Sequence, residues 1–181
     1  MLINAHNSCL LIVDVQEKLI PAIHEKDTVI ENCAWLMEVA TVIGVPILVS
    51  EQYPKGLGPT VSRLRELAPK TTFMEKVHFS CAASPVCKPR INSLGHRQVV
   101  IAGIEAHVCV LQTAMDLAAD GKRVFVVADA ISSRDPRSVE LAIERMRGAG
   151  IEIVSREMVL FEWAHKSDTT QFRHLSSTFL K

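Results

Sequence analysis

Residues Gln98–Gly121 read QVVIAGIEAHVCVLQTAMDLAADG, and this stretch decides the fold. Its opening, Gln98–Ala102, is an apolar, β-branched run, the pattern of a strand buried on both faces. Ala106–Ala119 reads as a helix, and Gly121 supplies its terminator. A strand feeding directly into a helix is half of a βαβ unit, and the same alternation continues in both directions along the chain.

Toward the amino terminus, Cys9–Val13 is another continuous apolar run ending at a charged residue, Asp14, which predicts a central parallel strand. Ile30, Ala34, Met37 and Thr41 fall at helical spacing in a helix over Asp27–Ile43 that stops at Gly44. A second strand is expected over Val45–Ser50. The loop QYPKGLGPT (Gln52–Thr60), a short helix over Val61–Leu67, a third strand over Phe73–Val77 and a helix over Pro85–Leu94 follow. Toward the carboxyl terminus come a fifth strand (Arg123–Ala128), a helix (Pro136–Arg147) closed by Gly148 and Gly150, and a sixth strand (Glu152–Ser155). The pattern predicts one α/β domain over residues 1–181: three α/β/α layers around a six-stranded parallel sheet, joined by right-handed crossovers, in the Rossmann-like order 3-2-1-4-5-6. The final stretch, Glu157–Lys181, is helical in period and carries Phe161, Trp163, Phe172 and Phe179, which suits packing against a partner subunit.

With 48% hydrophobic and 22% charged residues, the 181-residue chain can bury a continuous core. Twenty basic against twenty acidic residues give no global attraction to a polyanion, so no nucleic-acid partner is expected. The five cysteines are an odd number spread along a chain of ordinary size, unlike a disulfide framework, and they point to a reducing compartment. The apolar run near the start is too short for a signal-peptide core or a membrane span. A cytoplasmic protein without membrane contact is therefore expected, or an organellar one if a presequence precedes this sequence.

In open parallel sheets, ligands bind beyond the carboxyl ends of the strands. Asp14 follows strand 1. Glu51, Gln52 and Tyr53 follow strand 2; Glu75, Lys76 and His78 lie in or after strand 3; Gly103–Cys109 follows strand 4 and Asp129 strand 5. Cys109 is the most informative, because it falls in the first turn of a helix that starts at a strand end. There the free N–H groups and the helix dipole favour a thiolate and predict a pKa below the usual value of about 8.5. The same N–H groups suit an oxyanion. Asp14 is placed to accept the thiol proton, and Lys76 to pair with Asp14 and keep it ionised. Taken singly, each residue also has an ordinary structural reading: a small core cysteine, a turn-forming aspartate, a solvated lysine.

Together they carry a resemblance. The opening LLIVDVQ, with Asp14, is similar to the first-strand motif of the isochorismatase-like cysteine hydrolases. Lys76 in TFMEKVHFS falls where that superfamily's lysine follows strand 3, and AGIEAHVCV resembles its cysteine motif. The likeness runs in order from about Asn7 to Phe161 and implies a homo-oligomeric hydrolase of a small amide or related carbonyl substrate. It implies that Cys109 attacks the carbonyl carbon, Asp14 relays the proton, Lys76 tunes both, and an acyl-thioester is hydrolysed by water. It also implies a non-proline cis peptide at Ile104–Glu105, with the amides of Glu105 and Cys109 as the oxyanion hole.

The sequence departs from the nicotinamidase branch, in which an aspartate and two histidines after strand 2 hold a metal. Here that stretch has no histidine, so neither metal nor cofactor is expected. None of the seven histidines pairs with another at a close ligand spacing. Gln52, Tyr53, Phe79 and His107 are the candidates for substrate contact, with His78 also near the cleft. Asp129 reads as structural, holding a neighbouring loop through backbone N–H groups. Two other readings stay open: a thiol redox protein in which Cys81 or Cys87 resolves Cys109, and a non-catalytic scaffold on the same fold. A nucleotide-binding flavoprotein or dehydrogenase is disfavoured, because strand 1 leads into DVQEKL without a glycine-rich turn.

Overall fold

The computed structural model describes residues 1–180. Six parallel strands form one sheet in the order β3-β2-β1-β4-β5-β6: β1 Ser8–Val13, β2 Ile47–Gln52, β3 Phe73–Lys76, β4 Gln98–Ile104, β5 Arg123–Ser132 and β6 Glu152–Val154. The helices are α1 Lys26–Ile43, α2 Pro54–Leu57, α3 Ser62–Arg65, α4 Cys87–Ser93, α5 Leu111–Ala119, α6 Pro136–Gly148, α7 Arg156–Ala164 and α8 Thr170–Phe179. The parallel sheet and its strand order are those the sequence predicts.

Residue alternation along the central strands sorts the core into two layers, as the two-residue period of a strand requires. Leu10 and Ile12 of β1, Val100 and Ala102 of β4, and Phe125 and Val127 of β5 pack with α1, α7 and α8. Cys9, Leu11 and Val13, then Val99 and Ile101, then Val124 and Val126, pack on the other face with α4, α5 and α6. Both faces of these strands are thus dry, which explains their unbroken apolar runs.

Several boundaries differ from the sequence-based expectation for identifiable reasons. Strand β2 begins at Ile47 rather than Val45, because the Val45 N–H bonds back to Ala40 at the end of α1 and Pro46 has no N–H to give. It runs on through the polar Glu51 and Gln52, which pair with Glu75 and Lys76 of β3. Strand β4 continues to Ile104 and β5 to Ser132, since a register shift lets Gly103 pair Ile131 and Ile104 pair Ser132. Residues 106–119 divide into one π-helical turn, Ala106–Val110, and α5. The expected helix over 61–67 contracts to α3, the loop after β2 contains α2, and the carboxyl-terminal stretch is two helices, α7 and α8.

Gly103 governs the approach of the two central strands. It has φ +118° and faces Val13, and a Cβ there would lie 2.2 Å from the Val13 carbonyl oxygen. Only glycine lets β1 and β4 come this close where their carboxyl ends deliver Asp14 and the Cys109 turn.

Candidate active site

Asp14 is the first residue beyond β1 and takes a left-handed conformation, φ 51°, which the short side chain of Asp accommodates better than most. Its carboxylate is buried and engaged at both oxygens. Oδ1 accepts a hydrogen bond from Ser50 Oγ of β2 at 2.7 Å, and Oδ2 accepts one from Lys76 Nζ, at the end of β3, at 2.6 Å. Lys76 Nζ also donates to Gln52 Oε1 at 2.7 Å. Both side chains of the Asp14–Lys76 pair are fully buried. Such a pair survives desolvation only with close contact and further hydrogen bonds. Among the described residues, every buried side-chain nitrogen and oxygen has a partner.

Cys109 lies in the π-helical turn, 7% exposed, close enough to the ion pair to feel both of its charges. Its position at a helix start predicts an acidic thiol, but burial, followed by the Asp14 carboxylate, pushes the pKa up, and the opposing pull of Lys76 does not compensate. Desolvation therefore outweighs the helix terminus, and Cys109 rests as a neutral thiol. For Lys76, burial pulls the ammonium pKa down, yet the Asp14 carboxylate opposes it, joined by Cys109 and Cys81 once these ionise, and the pKa is left raised. The lysine therefore stays charged.

The Ile104–Glu105 peptide is cis. The Glu105 carbonyl accepts the N–H groups of Val108 at 3.1 Å and Val110 at 3.2 Å and passes over that of Cys109 between them. The Glu105 side chain is turned to Arg134, accepting its Nε at 3.0 Å and its main-chain N–H at 3.3 Å. His107 Nδ1 meets Ser133 Oγ at 2.9 Å.

Of the candidates for substrate contact, Gln52 is buried, and its amide is used on both sides: Oε1 by Lys76, Nε2 by the Val77 carbonyl at 2.9 Å. Tyr53 is 54% exposed, with φ 38°. Its ring fills the space a side chain at Gly56 would need, since a Cβ there would lie 2.4 Å from Tyr53 Cε1. With Pro54, Val77, His78, Pro85 and Val86, Tyr53 lines a cavity of about 380 Å³ beside Lys76. Phe79 is 53% exposed. Asp129 falls within β5 rather than after it, and Oδ1 accepts the Arg156 N–H at 2.9 Å.

Sequence reasoning passes over Ser50, Gln16 and Gly103. Ser50 and Gln16 left no local signal, because their partners lie far away in the chain. Gly103 did leave one: a glycine inside an apolar strand marks a bulge or a close backbone approach. All five cysteines are free. Cys81, close enough to feel Asp14 and Lys76, is raised by its hydrogen bond with Cys87 and by burial, and the same bond lowers Cys87. Among the described residues, no three His, Cys, Asp or Glu side chains gather as a metal-binding group, and no helix is long and apolar enough to cross a membrane.

An isochorismatase domain signature matches residues 8–158. The chain is 36% identical over 176 residues to isochorismatase domain-containing protein 2 of Danio rerio, covering 96% of this chain and 87% of the relative. It is similar to the structure of the MAR1 ribonuclease from Caenorhabditis elegans, with TM-score 0.92, 36% identity, and coverage of 100% of this chain and 93% of that one. The YcaC gene product of Escherichia coli, described as an octameric hydrolase of unknown specificity, shares the fold: TM-score 0.91, 23% identity, 98% and 90% of the two chains covered. The chain belongs to the isochorismatase family, on that family's hydrolase fold.

Proposed function

We propose that the chain is a cysteine hydrolase acting on a small amide or related carbonyl compound, with Cys109 as nucleophile, Asp14 as proton relay and Lys76 as the charge that fixes Asp14. The observation that carries this reading is the convergence of a buried thiol with a buried, fully satisfied Asp14–Lys76 pair at the carboxyl ends of three strands. A structural ion pair has no need of a cysteine beside it, whereas an acyl-transfer site needs nucleophile, base and orienting charge together.

The chemistry runs as follows. The Cys109 sulfur bonds to the carbonyl carbon while its proton passes to Asp14. The N–H groups of Glu105 and Cys109 hold the resulting oxyanion. Collapse breaks the carbon–nitrogen bond, and Asp14 returns the proton to the departing amine. Water then attacks the thioester, giving its proton to Asp14; the acid leaves, and Asp14 reprotonates the sulfur. Because burial keeps the thiol neutral at rest, ionisation accompanies attack rather than preceding it. Tyr53, Phe79 and His107 contact the substrate. The C. elegans neighbour is called a ribonuclease, but one buried thiol and one carboxylate already neutralised by lysine suit an acyl carbon better than a phosphodiester. The octameric neighbour and the half-exposed Phe161 of α7 favour a homo-oligomer, and the five free cysteines favour a reducing, cytoplasmic setting.

The test is acid-quench mass spectrometry during turnover of a panel of small amides. The reading expects an acyl adduct on the peptide carrying Cys109 and no turnover in Cys109→Ala. Turnover that survives in Cys109→Ala contradicts it. Oxidation of Cys109 by peroxide into a disulfide with Cys81, with no amide turned over, favours the redox reading instead.

A further inference from the structure

We propose that Gln52 is a positioning residue that holds the Lys76 ammonium between Asp14 and Cys109 and, by being uncharged, keeps the Asp14–Lys76 pair at zero net charge. This rests on Cys109 acting as the nucleophile, and it takes Gln52 away from direct substrate contact.

The orientation of the Gln52 amide is fixed by its own bonds. Nε2 donates to the Val77 carbonyl at 2.9 Å, so Oε1 is the end that meets Lys76 Nζ at 2.7 Å. One side chain therefore brackets the end of β3 through both the lysine and the next main-chain carbonyl. Gln52 is itself clamped: its N–H donates to Gln16 Oε1 at 2.7 Å, and its carbonyl accepts Gln16 Nε2 at 3.0 Å. Gln16 lies two residues beyond Asp14, so Gln16 and Gln52 tie the end of β1 to the end of β3.

An ammonium has three N–H bonds. Asp14 Oδ2 and Gln52 Oε1 take two of them and leave the third for another partner, and the Cys109 thiol is close enough to feel both Asp14 and Lys76. The charged groups facing Cys109 are Asp14, just beyond β1, and Lys76 from β3, while Cys81 from the loop beyond β3 faces that same pair. On the Cys109 segment itself, Glu105 is engaged by Arg134 and His107 by Ser133. A carboxylate in place of the Gln52 amide has the reach to hold Lys76 but adds a second negative charge, and a developing thiolate then meets a net negative cluster. An apolar side chain of the same length keeps the charge at zero but leaves the ammonium free to turn.

The test is alkylation of Cys109 by iodoacetamide in the full chain, followed on the Cys109 peptide from neutral to alkaline pH, for the native protein, Gln52→Glu, Gln52→Met and Lys76→Met. Thermal unfolding of each variant identifies any that has not folded. Gln52→Glu is expected to move the alkylation profile to higher pH and to slow the reaction at a fixed pH by about tenfold or more, one pKa unit being tenfold. Gln52→Met is expected to shift the profile less, while the nuclear magnetic resonance signal of the Lys76 ammonium, assigned through Lys76→Met, is lost to exchange with water. A role confined to packing moves neither readout. If Lys76→Met changes the alkylation and both folded Gln52 variants match the native protein, the assignment of Gln52 is overturned and the nucleophile reading stands. If Lys76→Met also changes nothing, both fall.

Discussion

Strand β1 buries polar groups at each end and satisfies them differently. At the amino end, Ser8 Oγ accepts the Trp163 indole N–H at 2.9 Å. Beside it, Gln98, the first residue of β4, accepts the Asn4 N–H at 2.7 Å and donates to the Leu2 carbonyl at 3.0 Å. These partners are neutral, and a carboxylate beside them, Glu162 of α7, accepts the Ile3 N–H at 2.6 Å while only partly buried. At the carboxyl end the buried groups are charged, Asp14 against Lys76, and two non-glycine residues, Asp14 and Tyr53, hold left-handed backbones. Hydrogen bonds between neutral groups, with a part-buried carboxylate at their edge, fasten the amino-terminal segment and α7 to the sheet at little desolvation cost. A buried ion pair gives a fold little net stability, and strained backbone clusters where chemistry requires it. The contrast assigns holding to one end of the sheet and reaction to the other.

The sharpest way to break this comparison is to unbalance the charged end. Lys76→Met leaves Asp14 buried without its cation and is expected to cost about 3–5 kcal/mol in denaturant unfolding. Asp14→Asn combined with Lys76→Met removes both charges and is expected to recover most of that loss while remaining inactive. A double variant no more stable than Lys76→Met shows instead that the pair is held for stability. Gly103→Ala tests the close approach that sets the site. With positive φ and a Cβ against the Val13 carbonyl, it is expected to cost about 3 kcal/mol by the same measurement.

At the neutral end, Trp163→Phe strands the buried Ser8 hydroxyl and is expected to cost about 1–2 kcal/mol, leaving the Cys109 alkylation rate unchanged. A further effect is alkaline and graded with pH. Burial raises Cys33 from 9.0 to about 12, so the unfolded chain releases this proton first. The corresponding stability is complete below pH 9 and is lost as pH rises toward 12, at about 1.4 kcal/mol per pH unit. Unfolding midpoints followed over that range should fall less steeply in Cys33→Ala than in the native protein.

The difference between the two ends also explains what the sequence could reveal. The strands were legible because Cys9–Val13 and Val99–Ala102 are apolar on both faces, and runs this short and β-branched suit a buried parallel strand better than a helix. Asp14 and Lys76 were legible as charges at the ends of strands. Ser50 and Gln16 were not, because a serine in a strand and a glutamine in a loop acquire their roles only through partners brought near by folding. The neutral thiol of Cys109 was hidden for a related reason: helix position is written in the sequence, whereas the depth of burial that overrides it is set by the packed loops.

The most direct test of Cys109 as a nucleophile served by Asp14 and Lys76 is its alkylation by iodoacetamide against pH in the native protein, Asp14→Asn and Lys76→Met. In the native protein, reaction should be slow at neutral pH and rise into the alkaline range, as burial and the Asp14 charge dictate. Asp14→Asn should move the profile to lower pH even as hydrolysis is lost, and Lys76→Met should move it to higher pH. A thiol that titrates near its ordinary value of about 8.5, unmoved by either substitution, contradicts the account.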